Sequence, residues 1–124
     1  MTDLALASEL QTALANFTGT SQYHRIHSNT LLTDGAYYLA ETAACYWLMD
    51  LYASHLASVD PNIESFTCLK LTKRGLGAEI VFEDGNTHAL AKQQIEYTDF
   101  PLENFMFYAV WAGEFWVLML RSEY

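Results

Sequence analysis

The chain has 124 residues, 52% of them hydrophobic and 15% aromatic, which is enough for one folded domain to bury a core without a disulfide framework or structural metal. Fifteen Asp and Glu against six Lys and Arg give a formal net charge of -9, which repels phosphate backbones and anionic lipid headgroups and sets direct DNA or RNA binding aside.

The first element in chain order is a helix from Asp3 to Asn16, with Leu6, Leu10, Ala13, Leu14 and Phe17 on one stripe. Thr2 or Asp3 would cap its start, and Gly19 in a left-handed conformation would close its end. Residues 20–33 show no period, and Tyr23 to Ile26 reads either as a short strand or as an ordered loop. Thr33 or Asp34 then offers an N-cap for one long second helix, Ala36 to Ala57, which contains neither Pro nor Gly and is apolar nearly all round. Glu41, Asp50 and His55 within it argue against a membrane span and for a core helix, stopped by Asp60-Pro61-Asn62.

After Pro61 the texture becomes β-favouring runs separated by turn residues. Strands are expected over Ile63 to Lys73 and Ala78 to Glu83 around Gly75-Leu76-Gly77, then over Thr87 to Tyr97 after Asp84-Gly85-Asn86. Thr98-Asp99-Phe100-Pro101 ends the third strand, and Ala112-Gly113 turns Asn104 to Trp111 into Glu114 to Arg121. The expected architecture is a single α+β domain over residues 1–124, with two helices packed on one face of a mainly antiparallel five-stranded meander sheet.

The last hairpin departs from the alternation of a half-exposed sheet. Phe105, Phe107, Ala109 and Trp111 share one parity and Met106, Tyr108 and Val110 the other, while Phe115, Val117 and Met119 oppose Trp116, Leu118 and Leu120. Only one of these faces meets the helices of its own domain. Covering three large aromatics on the second would contribute on the order of 10 kcal/mol before association entropy. Phe107, Tyr108, Trp111, Phe115, Trp116 and Leu118 are therefore the interface candidates for a homo-oligomer or a protein partner. The competing expectation is that the first helix and residues 20–33 wrap round to cover that face.

Catalytic and metal chemistry finds little support in the pattern. His24 and His27 diverge across a strand and lack a Cys or carboxylate nearby in sequence to complete a metal set, so no metal and no cofactor is implied. Cys45 lies one helical turn from Glu41 but has no base to activate it, and both Cys45 and Cys68 read as packed free thiols. Glu41 and Asp50 fall on opposite faces of the second helix, which rules out a paired carboxylate site. His55 is placed to meet the helix C-terminal carbonyls, and Lys70, Lys73 and Arg74 read as a solvated edge.

Phe17-Thr18-Gly19-Thr20, Leu32-Thr33-Asp34-Gly35, Tyr38-Leu39-Ala40-Glu41, Tyr97-Thr98-Asp99-Phe100-Pro101-Leu102 and the closing Ser122-Glu123-Tyr124 together resemble an uncharacterised bacterial family catalogued as a domain of unknown function. Arg121 stands where the similar family usually has Pro. The resemblance implies bacterial origin and brings no activity with it. The phrases sit at element boundaries, where Asp34 and Asp99 would bond backbone amides; alternatively Asp34, Tyr38, Asp99 and Glu123 converge on a ligand pocket. The leading reading is a non-catalytic protein-binding or self-assembling module in the cytoplasm, with no visible secretory signal or membrane span. The alternatives are a small-molecule binder or small enzyme with a pocket between the second helix and the sheet, and an acidic inhibitor that mimics nucleic acid.

Overall fold

The computed structural model describes residues 4–124, so Thr2 and Asp3, the expected cap, lie outside the described residues. Helix α1 (Leu4–Ala15) buries Leu10 and Leu14 and leaves Leu6 half exposed. It ends in tightened turns, with the amides of Asn16 and Phe17 donating to the Ala13 and Leu14 carbonyls at 3.1 Å. Gly19 does not close it; the glycines at positive φ are Gly75 and Gly113, both in turns between strands.

Residues 20–33, unperiodic in sequence, form β1 (His24–His27) and β2 (Thr30–Leu32), an antiparallel hairpin with a shift of register between Arg25 and His27. The expected long helix is two, α2 (Asp34–Thr42) and α3 (Tyr46–Leu56). The chain breaks at Ala44, which takes φ 51°, and Cys45 is fully buried with its amide donating to the Ala40 carbonyl at 3.0 Å. No residue from Thr42 to Cys45 is a breaker. Tertiary packing overrides helix propensity here, because the bend lets both halves bury a face in the same core.

The remaining strands are β3 (Phe66–Arg74), β4 (Gly77–Asp84), β5 (Ala89–Ile95), β6 (Asn104–Trp111) and β7 (Trp116–Leu120), followed by a 3-10 turn over Arg121–Glu123. The sheet has seven strands in the order β1-β2-β7-β6-β3-β4-β5, not five in a meander. Strands β3 to β5 do follow one another, but the segment after β5 returns past the sheet and buries Phe100 and Leu102, so β6 lies on the other side of β3. Nor is the sheet wholly antiparallel: β2 runs parallel to β7, with Thr30, Leu31 and Leu32 opposite Trp116, Val117 and Leu118. The architecture is α+β, with three helices and a mixed sheet.

One face of the sheet meets the helices. Leu39, Ala40, Leu48, Met49, Tyr52 and Leu56 pack with Leu69, Leu71, Ile80, Phe82, Phe107 and Leu118 in a single core, and burying each large apolar side chain contributes about 1.5–3 kcal/mol. The Tyr52 hydroxyl is satisfied inside that core by Thr67 Oγ1 at 2.8 Å. These side chains fill the middle of the space between the second helical region and the sheet, one expected place for a pocket, and leave a groove at its β5 edge beside Trp47 and Ile95.

Candidate functional site

Two of the four expected site residues meet at the start of α2. Thr33 is the N-cap, its Oγ1 accepting from the Ala36 amide at 3.2 Å. Glu123 reaches in from the 3-10 turn: Oε2 accepts from the Gly35 amide at 3.0 Å, and Oε1 accepts from the Thr33 hydroxyl at 2.6 Å and the Leu120 amide at 3.0 Å. A Cβ on Gly35 would lie 2.5 Å from Glu123 Oε1, so only glycine admits this carboxylate. The Asp34 amide donates to Thr20 Oγ1 at 2.9 Å, and Asp34 Oδ2 accepts from the Ser21 amide at 2.8 Å. Asp34 Oδ1 lies 3.0 Å from His24 Nε2, and the His24 ring stacks on Tyr37. The Ser21 amide and then the His24 ring hold the Asp34 carboxyl below the usual carboxylate range. Three successive amides at the helix start thus each have an acceptor from the protein itself, which is structural work for Asp34 and Glu123.

Tyr38, one turn further along, packs its ring against Phe17 at 5.3 Å. Asp99 stands elsewhere, beside a shallow groove of about 300 Å3 lined with Trp47, Ile95, Tyr97 and Thr98. Its charge adds to burial in pushing the Cys45 thiol up to about 12, and burial likewise raises Cys68 to about 11. Both remain thiols at neutral pH, the opposite of an activated nucleophile.

The histidines that looked unpartnered in sequence hold elements together. His24 ties β1 to α2, and His27 Nε2 lies 3.0 Å from Asp50 Oδ1 on α3. These partners are 10 and 23 residues away, so no spacing rule finds them. His88 sits against Asp84, whose Oδ1 also accepts from the Asn86 and His88 amides, and these bonds lower the Asp84 carboxyl. His55 stacks on Phe82 with ring centroids 4.0 Å apart; its Nε2 is buried without a hydrogen-bond partner, and burial lowers its pKa. Among the described residues no three His, Cys, Asp or Glu side chains gather into a metal site.

The hairpin candidates divide between the two faces of the sheet. Phe107, Trp116 and Leu118 are buried in the core, and half-buried Trp111 packs against it with its ring on Trp116. Tyr108 and Phe115 belong to the other face. Cross-strand register extends that face through Leu31, Val117, Val110 and Phe66 in one row, and through Met119, Tyr108 and Cys68 in the next. None of these side chains joins the core cluster to which the helices contribute, although Cys68 and Val117 are themselves buried among their sheet neighbours. Residues 20–33 do not wrap over them but lengthen the sheet at the β7 edge. Tyr124 touches this face, edge-on to Phe66 and Tyr108 at 5.2 and 5.5 Å, while remaining exposed itself. Sequence parity had marked the hairpin as two-faced; which residues of β2 and β3 complete the face needed the register.

No described helix is long and apolar enough to cross a membrane. The model of a family of unknown function, DUF6876, matches residues 8–124. No curated protein matches the chain. Among solved structures, a protein of unknown function from Enterococcus faecalis is similar in fold, with a TM-score of 0.55 at 14% identity over 83% of this chain and 98% of the other.

Proposed function

Since the chain belongs to the DUF6876 family, whose name carries no activity, its role has to be read from its own surface, and we propose that it is a non-catalytic protein-docking module of the cytoplasm. The open face of the sheet is its docking surface, covered in use by another protein or by a second copy of the chain. The observation that carries this reading is the partly exposed apolar stretch of Phe66, Met106, Tyr108, Val110 and Met119, packed round a buried Val117, on the side of the sheet away from the described helices. Contiguous apolar surface of that kind marks interaction sites. The two raised thiols and the self-satisfied carboxylates at the start of α2 support a role without catalysis.

Light scattering on the purified chain, and affinity capture from lysate of its host, test the reading when each is run beside the variant Met106→Asn/Val110→Asn. We expect the wild type to self-associate or to retain a protein that the variant loses. A wild type that stays a 14.1 kDa monomer and captures the same proteins as the variant sinks the docking role.

A further inference from the structure

The cations of this acidic chain are not spread over its surface. Register places Arg25 opposite Leu31, Lys70 opposite Met106 and Val81, and Lys92 opposite Val81, all on the open face. Arg74 has the same parity as Lys70 along β3. Arg121 follows Leu120, the partner of Phe107, and lines a groove with Lys70 and Met106. Of the six Lys and Arg only Lys73 has the opposite parity. Against these five cations the strands set Glu79 and Glu83 on the same face, Glu83 lying 3.0 Å from Lys70 and Glu79 4.0 Å from Arg74, and Glu96, one residue past β5, lines a groove with Arg74 and Glu79. The helices carry Glu9, Asp34, Glu41 and Asp50 and no Lys or Arg. A chain of net charge -9 thus gathers five of its six cations on the apolar face turned away from its helices.

From that arrangement we infer that the occupant of the open face is an acidic segment of another protein, one that interleaves carboxylates with apolar side chains. The inference rests on the docking reading and adds the chemistry of the partner. Met106, Lys70, Val81 and Lys92 stand side by side on β6, β3, β4 and β5, and Arg121, the first residue of the 3-10 turn after β7, shares a groove with Met106 and Lys70. With neighbouring strands about 4.8 Å apart, the cations recur every 10 Å or so, separated by an apolar side chain. A segment lying across the strands meets cation and apolar contact alternately, so carboxylates and greasy side chains both find partners. If charge were present only to keep the face soluble, the abundant acids would serve as well, and Lys70 lies on a central strand where no edge needs protecting.

Two other occupants fit less well. Pairing of two copies open face to open face would set the same gathered cations against each other. Single-stranded nucleic acid needs rings lying flat for bases to stack on, whereas Phe66 and Tyr108 meet Tyr124 edge-on at 66° and 81°, and the overall charge opposes phosphate.

Fluorescence anisotropy of the full chain with a labelled random Glu-Tyr copolymer tests the inference, with Lys-Tyr copolymer and oligothymidylate as competing probes. Lys92→Gln/Arg121→Gln alters two exposed side chains and is checked for folding by its thermal midpoint. We expect the Glu-Tyr copolymer to bind, to release as salt rises from about 0.1 M to about 1 M, and to bind the double variant about tenfold more weakly. Binding unchanged in that variant, or tighter binding of Lys-Tyr copolymer or oligothymidylate, overturns the acidic partner. If the wild type and Met106→Asn/Val110→Asn still differ in light scattering or capture, the docking face survives and only its chemistry falls. When neither variant changes any readout, both readings fail together.

Discussion

Neighbouring residues of β6 live in different worlds. Phe107 is fully buried against Tyr52 and Phe105, while Tyr108, one position on, faces away from the helices with Phe66 and Tyr124 as neighbours. The same contrast holds for the two sides of the molecule: a helical layer with acids and no Lys or Arg, and a sheet face where apolar side chains stand among most of the cations. The difference teaches that hydrophobicity on this strand has two purposes. On the inner parity it fills the core shared with the helices; on the outer parity it packs only against its neighbours in the sheet and Tyr124.

The sharpest way to break that comparison is to truncate the adjacent pair. Phe107→Ala should lower the free energy of urea unfolding by about 3–5 kcal/mol, and Tyr108→Ala by only about 1 kcal/mol. Equal losses would mean that the outer face belongs to the core after all. Next in size, Glu123→Ala removes the acceptor shared by Gly35, Thr33 and Leu120 and should cost about 1–2 kcal/mol in the same measurement. Gly35→Ala, which pushes that carboxylate out without deleting it, should destabilise by a similar amount.

His55 sharpens the inner side of the comparison through pH. Burial against Phe82 lowers its pKa in the fold, so the unfolded chain takes up the proton more readily. Stability should be level above the ordinary histidine value of about 6.5 and should fall as pH drops below it toward the lowered folded value. In a thermal-melt series His55→Phe should flatten that decline between about pH 6.5 and pH 5, leaving the carboxylate-linked loss at lower pH. Asp34 works in the same sense at the acid end: its lowered carboxyl supports the fold above the ordinary carboxylate range, and that support goes as pH falls through the folded value. The smallest effect is expected from Arg25→Gln, whose guanidinium lies 5.0 Å from the Phe115 ring centroid on the open side. It should change stability by about 0.5 kcal/mol.

Sequence reading found what local chemistry specifies. Helix α1, the Thr33 cap, the turns at Gly75 and Gly113, and the two parities of the final hairpin were all visible, because each rests on residues close together in the chain. It failed where the cause is distant. Nothing in Thr42 to Cys45 announces a left-handed Ala44, which exists because two helical segments share one core. Strand β2 has three residues and is held by β7, more than eighty positions later, so no local pattern marks it. At the candidate site, Asp34 and Asp99 were read as residues that bond backbone amides and Glu123 as one of four converging on a pocket; that Glu123 reaches the Gly35 amide beside Asp34 was not legible. The gathering of cations on one face emerges only when the register of all strands is known.

The Glu123 clasp and the β2–β7 ladder bind residues 30–35 to residues 116–123, the Gly35 contact alone spanning 88 residues. During synthesis the start of α2 therefore waits for its acceptor, and β1 and β2 have no strand to join, until nearly everything between has been made. A ribosome stalled before β7 would display to passing chaperones an orphan hairpin and a helix start whose Gly35 amide lacks its acceptor. A chain cut short before β7 should therefore be recognised and degraded rather than accumulate.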